Sequence, residues 1–202
     1  MKIKICGISR MEDVAFVNAA MPDSVGFVFA PSRRKVSLQQ AQAMKKGLLA
    51  CIRTVGVFVN APVDEIAALV DHGVIDLVQL HGDEDAAYIQ SLRALIPVPV
   101  IKAIRVQDTQ QIEKAQSQPC DYLLLDAYQK GSMGGTGIPF DWTLIPKLEK
   151  PYFLAGGLNM QNLTRAAALP AYCLDISSGV ETDGLKDGLK IRQAVDLVRR
   201  QP

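Results

Sequence analysis

The sequence predicts a single α/β domain folded as a (β/α)8 barrel, that is, a closed parallel barrel with helices outside. Eight short apolar, β-branched runs recur along the chain, and the segments between them carry helical spacing. The length of 202 residues is near the roughly 200-residue minimum of such a barrel. Parallel pairing follows because a parallel neighbour is reached only through a crossover, and eight crossover units close without leaving an edge. An open doubly wound sheet is the structural rival. It is disfavoured by the number of runs and by the lack of a G-x-G-x-x-G turn after the first of them.

In chain order the runs are KIKIC from Lys2, SVGFVF from Ser24, IRTVGVFV from Ile52, DLVQL from Asp76, VPVIKAI from Val98, DYLLLD from Asp121, YFLA from Tyr152 and YCLDIS from Tyr172. Helix starts are marked between them. Ser9 with Glu12 and Ser37 with Gln40 fit capping boxes, Pro62 suits a first turn, and Asn159 is placed to cap the helix after the seventh run. The last helix is the clearest, because Ile191, Ala194, Val195 and Val198 follow the i, i+3, i+4, i+7 template. No linker or low-complexity stretch divides residues 1–202, so one domain is expected. The longest turn-like stretch, YQKGSMGGTGIP at 128–139, follows the sixth run and reads as a mobile loop with GGTG as its hinge. It lacks the Gly-Lys-Ser/Thr ending of a nucleotide-binding loop.

A formal charge of +1 offers no field for nucleic acid or an anionic membrane, so the expected partner is a small molecule. No apolar run reaches the roughly 18 residues of a membrane span, and Lys2 and Lys4 interrupt the first run where a signal peptide would be apolar. A cytoplasmic monomer or homodimer is expected. The four cysteines, Cys6, Cys51, Cys120 and Cys173, are scattered, and the two histidines, His72 and His81, do not stand at ligand spacing from them; no metal site is expected. In a reducing compartment such cysteines are by default small buried hydrophobes, so only position makes one chemical.

Position singles out the carboxyl ends of the strands, where barrel enzymes build their sites. The first run ends at Cys6, the second leads to Arg33 and Arg34, the fourth to Gln79 and His81, the fifth carries Lys102, the sixth ends at Asp126 and the eighth carries Asp175. Strand alternation puts Lys4 on the face of Cys6, Gln79 on that of His81, and Tyr122 on that of Asp126. The bland reading of Lys4, Lys102, Asp126 and Asp175 is an interior charge network that satisfies itself, since a buried lysine needs a carboxylate. Asp126 closes a run of three leucines, which predicts apolar walls around its carboxyl. His81 fits equally well as a rim histidine bonded to backbone. Two glycine motifs, AGGLN at 155–159 and SSGVE at 177–181, follow the seventh and eighth runs, where barrels of this kind cradle phosphate on backbone N–H groups.

Taken together, KICGI, GFVF, VGVFVN, VQLHG, GGTGIPFDW, AGGLN and DISSGVE run end to end and closely resemble the phosphoribosylanthranilate isomerase family. That resemblance implies a step of tryptophan biosynthesis without a cofactor: the Amadori rearrangement of N-(5-phosphoribosyl)anthranilate to 1-(2-carboxyphenylamino)-1-deoxyribulose 5-phosphate. It implies Cys6 as general base and Asp126 as general acid. The family's carboxylate-binding arginine falls on Arg34, within Ser32 to Val36; the loop is one residue shorter than the pattern, which keeps Arg33 as the alternative. His81, Gly156, Gly157, Asp175, Ser177, Ser178 and Gly179 complete the expected phosphosugar-binding set. Asp183–Gly184 stands where the family often has Pro-Gly. Other phosphosugar barrels are weaker readings: an epimerase would need metal ligands at strand ends, and a broader isomerase would also serve histidine biosynthesis. A non-catalytic phosphate-metabolite binder has no use for Cys6 and Asp126.

Overall fold

The computed structural model describes residues 1–127 and 139–200. Eight parallel strands close into the expected barrel in sequence order: β1 (Lys2–Cys6), β2 (Ser24–Val28), β3 (Arg53–Phe58), β4 (Leu77–Leu80), β5 (Val100–Val106), β6 (Tyr122–Ala127), β7 (Tyr152–Leu154) and β8 (Cys173–Ile176). β1 and β8 complete the ring with Lys4 paired to Asp175. These strands are apolar on both faces because each is covered twice, by the barrel interior and by the helical layer. Val55, Leu77, Ile101, Ala103, Leu124, Phe153, Ala155 and Cys173 fill the inside, while a larger cluster that includes Ile3, Ile5, Phe27, Leu123 and Leu125 packs between barrel and helices.

Seven α-helices are found among the described residues: α1 (Met11–Ala20), α2 (Leu38–Gly47), α3 (Val63–Asp71), α4 (Ala86–Leu95), α5 (Thr109–Ala115), α6 (Leu163–Ala167) and α7 (Gly188–Arg199). Ile191, Ala194, Val195 and Val198 of α7 are fully buried, as their spacing requires. The described connection from β6 to β7 holds only a 3-10 turn at Trp142–Leu144. The GGTG hinge at 134–137 lies outside the described residues.

Capping follows the sequence at one site and departs from it at others. Ser37 and Gln40 exchange side-chain and backbone bonds as a capping box. Ser9 does not cap α1. The helix starts one residue later, so the reciprocal acceptor is Asp13, which takes the Ser9 and Arg10 N–H groups at 2.9 and 3.1 Å and is itself held by the Arg10 guanidinium. Pro62 stands just before α3. Asn159 caps only the turn ahead of α6, accepting from the Gln161 N–H at 2.9 Å, and Asn162 immediately precedes the helix.

After β8 the chain forms a small hairpin, β9 (Glu181–Thr182) with β10 (Leu185–Lys186), turning through Asp183 and Gly184. It carries Glu181 and Lys186 back to the barrel mouth. No helix among the described residues is long and apolar enough to cross a membrane.

Candidate active site

The carboxyl ends of the strands surround a cavity of about 450 Å³, within the size range of small-molecule sites. Cys6, Arg33, Arg34, Gln79, His81, Arg105, Asp126, Gly156, Gly157, Asp175, Ser177 and Ser178 line it.

Cys6 reaches the cavity because β2 offers no side chain beside it. A Cβ on Gly26 would lie 2.8 Å from the Cys6 Sγ and 3.3 Å from the Lys4 Cε. Glycine therefore creates the space in which thiol and ammonium meet. Lys4 is fully buried. Its Nζ donates to Asp175 Oδ2 at 2.7 Å, to Gln79 Oε1 at 2.6 Å and toward the Cys6 Sγ at 3.4 Å. Burial works against the Lys4 charge, but the Asp175 carboxylate and Cys6 outweigh it and raise the lysine above its ordinary range. At Cys6 the balance runs the other way. Burial pushes the thiol up, and the pull of Lys4 does not fully offset it.

From Gln79 the path continues across the mouth. Its Nε2 lies 2.9 Å from His81 Nδ1, and His81 Nε2 lies 3.0 Å from Asp126 Oδ2. The Ala127 N–H donates to Asp126 Oδ1 at 2.9 Å. The carboxyl of Asp126 thus has hydrogen-bonding neighbours where the leucine run predicts apolar walls; those leucines pack into the cores on both faces of the sheet, while the last residue emerges at the rim. His81 uses its ring for this path. Asp175 keeps one buried oxygen, Oδ1, without a protein partner.

Lys102 does not join the site. Ile101 and Ala103 occupy the inner face of β5, so Lys102 turns outward, donating to the Gly82 carbonyl and to Glu84 at 2.7 Å each. The same alternation brings Arg105 inward to line the cavity, with a donor 3.4 Å from the His81 carbonyl. Sequence reading missed Arg105, although two-residue periodicity along VIKAIRV was enough to find it.

Arg34 and Arg33 both line the cavity and both meet Glu181. Arg34 grips that carboxylate with Nε at 2.7 Å and Nη2 at 3.0 Å, while the more exposed Arg33 reaches it at 2.5 Å. Lys186 adds a third cation at 2.8 Å. Burial alone would raise Glu181, but hydrogen bonds from Arg34 and Lys186 hold it below the usual carboxylate range. Burial depresses Lys186, against the pull of Glu181.

The two glycine loops stand side by side, linked by a bridge between Asn159 and Gly179. Gly156 has φ +80°, and a Cβ there would lie 2.3 Å from the Ala127 N, so this loop passes directly against the end of β6 beside Asp126. Gly179 does not line the cavity; its contribution is the bridge. Ser177 turns its hydroxyl to the Cys6 carbonyl at 2.9 Å. Among the described residues no group of three His, Cys, Asp or Glu side chains is arranged to hold a metal ion.

Comparison with known proteins points to a family. The family model described as N-(5'-phosphoribosyl)anthranilate isomerase matches residues 3–197. An N-(5'-phosphoribosyl)anthranilate isomerase of Endomicrobium trichonymphae is 48% identical over 199 residues, 98% of each chain. Among solved structures, the phosphoribosyl anthranilate isomerase of Thermus thermophilus superposes with a TM-score of 0.87 at 31% identity, covering 100% of both chains. A phosphoribosyl anthranilate isomerase in complex with reduced 1-(o-carboxyphenylamino)-1-deoxyribulose 5-phosphate superposes at 0.82 with 30% identity over 98% of each. The likeness runs over the whole length of the closed barrel, and the chain belongs to the N-(5'-phosphoribosyl)anthranilate isomerase family.

Proposed function

We propose that this chain isomerises N-(5-phosphoribosyl)anthranilate to 1-(2-carboxyphenylamino)-1-deoxyribulose 5-phosphate in tryptophan biosynthesis, with Asp126 as general acid and Cys6 as general base. The observation that carries the reading is the hydrogen-bonded path from Cys6 through Lys4, Gln79 and His81 to Asp126, which holds one acid and one base at the same cavity. The rearrangement needs both groups. Protonation of the furanose ring oxygen by Asp126 opens the sugar to a Schiff base; removal of the C2 proton by the Cys6 thiolate then gives an enolamine, which tautomerises to the ketone. Each step moves one proton.

The remaining groups bind. The glycine loops with Ser177 and Ser178 offer backbone N–H donors for the phosphate. Arg34, with Arg33 beside it, answers the anthranilate carboxylate, for which a guanidinium edge gives two parallel bonds. The unpartnered Asp175 Oδ1 is an acceptor ready for a sugar hydroxyl.

The test mixes the protein with enzymatically generated phosphoribosylanthranilate and follows the loss of anthranilate fluorescence. Turnover that disappears in Asp126→Asn is the expected result. Substrate binding without fluorescence loss would reduce the protein to a phosphate-metabolite binder.

A further inference from the structure

We propose that Lys4 and Gln79 are positioning residues that fix the protonation of His81, holding its ring neutral with the proton on Nε2, so that it is a permanent hydrogen-bond donor to Asp126. The argument starts from the one group on the path whose polarity is not free. A lysine ammonium has donors and no acceptor. At 2.6 Å from Lys4 Nζ, the atom of the Gln79 amide must therefore be its oxygen. The amide nitrogen is then the atom 2.9 Å from His81 Nδ1, and because that NH2 only donates, Nδ1 has to accept with its lone pair. The ring proton is left to Nε2, 3.0 Å from Asp126 Oδ2. A protonated Nδ1 would set two donors against each other, so the imidazolium is excluded as well.

The charges around the ring make this control consequential. His81 is faced by Asp126 from β6 and by Gln79 from its own strand; Arg105 of β5 approaches its carbonyl, while Lys4, Cys6 and Asp175 stand one contact further along. Beside a carboxylate alone, a histidine tends to take up a second proton. A full positive charge at 3 Å would favour the ionised form of Asp126 and deprive it of the proton that ring opening uses. A neutral Nε2–H donor orients the carboxyl and favours its ionised form much less than a full charge does. The buried ammonium at one end of the path thus governs the state of the acid at the other, and the inference rests on the reading of Asp126 as the acid.

The experiment is nitrogen NMR on protein labelled with ¹⁵N-histidine. The chain has only His72 and His81, and His72 is a built-in contrast because its Nδ1 lies 2.5 Å from the Ala68 carbonyl, which only accepts. His72→Asn assigns the spectrum. In the wild type, His81 should show a pyrrole-type Nε2 and a pyridine-type Nδ1, with His72 reversed when neutral. Gln79→Glu keeps a partner for Lys4 but replaces the NH2 donor with an acceptor; both His81 nitrogens should then become pyrrole-type, and kcat should fall at least about tenfold, part of the roughly 10²–10⁴-fold that a positioned acid supplies, with KM little changed. If Gln79→Glu does not fold, Gln79→Met should show both tautomers in exchange. A wild-type His81 protonated on Nδ1, a substitution at Gln79 that leaves the pattern unchanged, or a changed pattern with unchanged kcat would each overturn the proposal. Full turnover in Asp126→Asn would instead remove the acid reading and leave the tautomer assignment standing.

Discussion

Cys6 sits where burial and a neighbouring ammonium oppose one another, and burial wins, so its thiol ionises above the ordinary cysteine range. The thiolate is the nucleophile, so the sign at this group is fixed: alkylation of Cys6 by iodoacetamide, followed by peptide mass spectrometry, should speed up as pH rises into the alkaline range. An alkylation rate already at its plateau below neutral pH would contradict this. Cys6→Ser nearly preserves volume, so folding should be unaffected while turnover drops about 10²- to 10⁴-fold, because a hydroxyl is far too weak a base. The two arginines separate by their hold on Glu181. Arg34 is anchored by two bonds and is mostly buried, whereas Arg33 is largely exposed. Arg34→Ala should therefore cost roughly 1.5–3 kcal/mol in kcat/KM, mainly through KM. A silent Arg34→Ala with a damaging Arg33→Ala would move the carboxylate site by one residue.

At the scale of elements, β2 and the β9–β10 hairpin do the positioning. Gly26→Ala places a methyl group 2.8 Å from the Cys6 Sγ; overpacking of this kind costs about 1–3 kcal/mol and displaces the thiol. Turnover should fall further than the loss of stability explains, with Tm lower by roughly 2–4 °C per kcal/mol for a domain of this size. The hairpin is tied to the barrel mouth by Glu181, which joins Lys186 to Arg33 and Arg34. Its carboxyl is held below the usual range in the folded state, so it contributes stability above its unfolded value and loses that contribution as pH falls through the folded one. The Tm difference between wild type and Glu181→Gln should accordingly be present at neutral pH and vanish in acid. A difference that persists in acid would show that hairpin packing, and not the carboxylate charge, is responsible.

For the molecule as a whole, a closed barrel with its site at one mouth couples ligand binding to global stability. Anything that binds the folded state alone stabilises it by about 2.7 kcal/mol at a hundredfold excess over Kd. Inorganic phosphate should therefore raise Tm and compete with substrate in the wild type. In Gly157→Val, where a branched side chain enters the glycine loop that lines the cavity, the phosphate-dependent shift should be lost whatever the variant's own Tm. Phosphate inhibition that is not competitive would place the anion elsewhere.

The barrel was legible from sequence because its signals are local and repeated. Eight apolar runs, the spacing of Ile191, Ala194, Val195 and Val198, and the chain positions of Cys6 and Asp126 at strand ends need no long-range information. Periodicity also contained Arg105 and excluded Lys102, since one residue along a strand exchanges the inner face for the outer. Other features were decided only when distant strands met. That Lys4 faces Gln79 across 75 positions and Asp175 across 171, that Gly26 opens space for a thiol twenty residues earlier, and that Glu181 pairs with arginines 147 and 148 positions away depend on barrel closure and register. Hydrophobic pattern sets which face each residue takes, because burial of apolar area is a property of the local run. The partners of Lys4 are set by closure, because an ammonium inside a barrel is stable only where the ring brings carboxylate and amide oxygens to it.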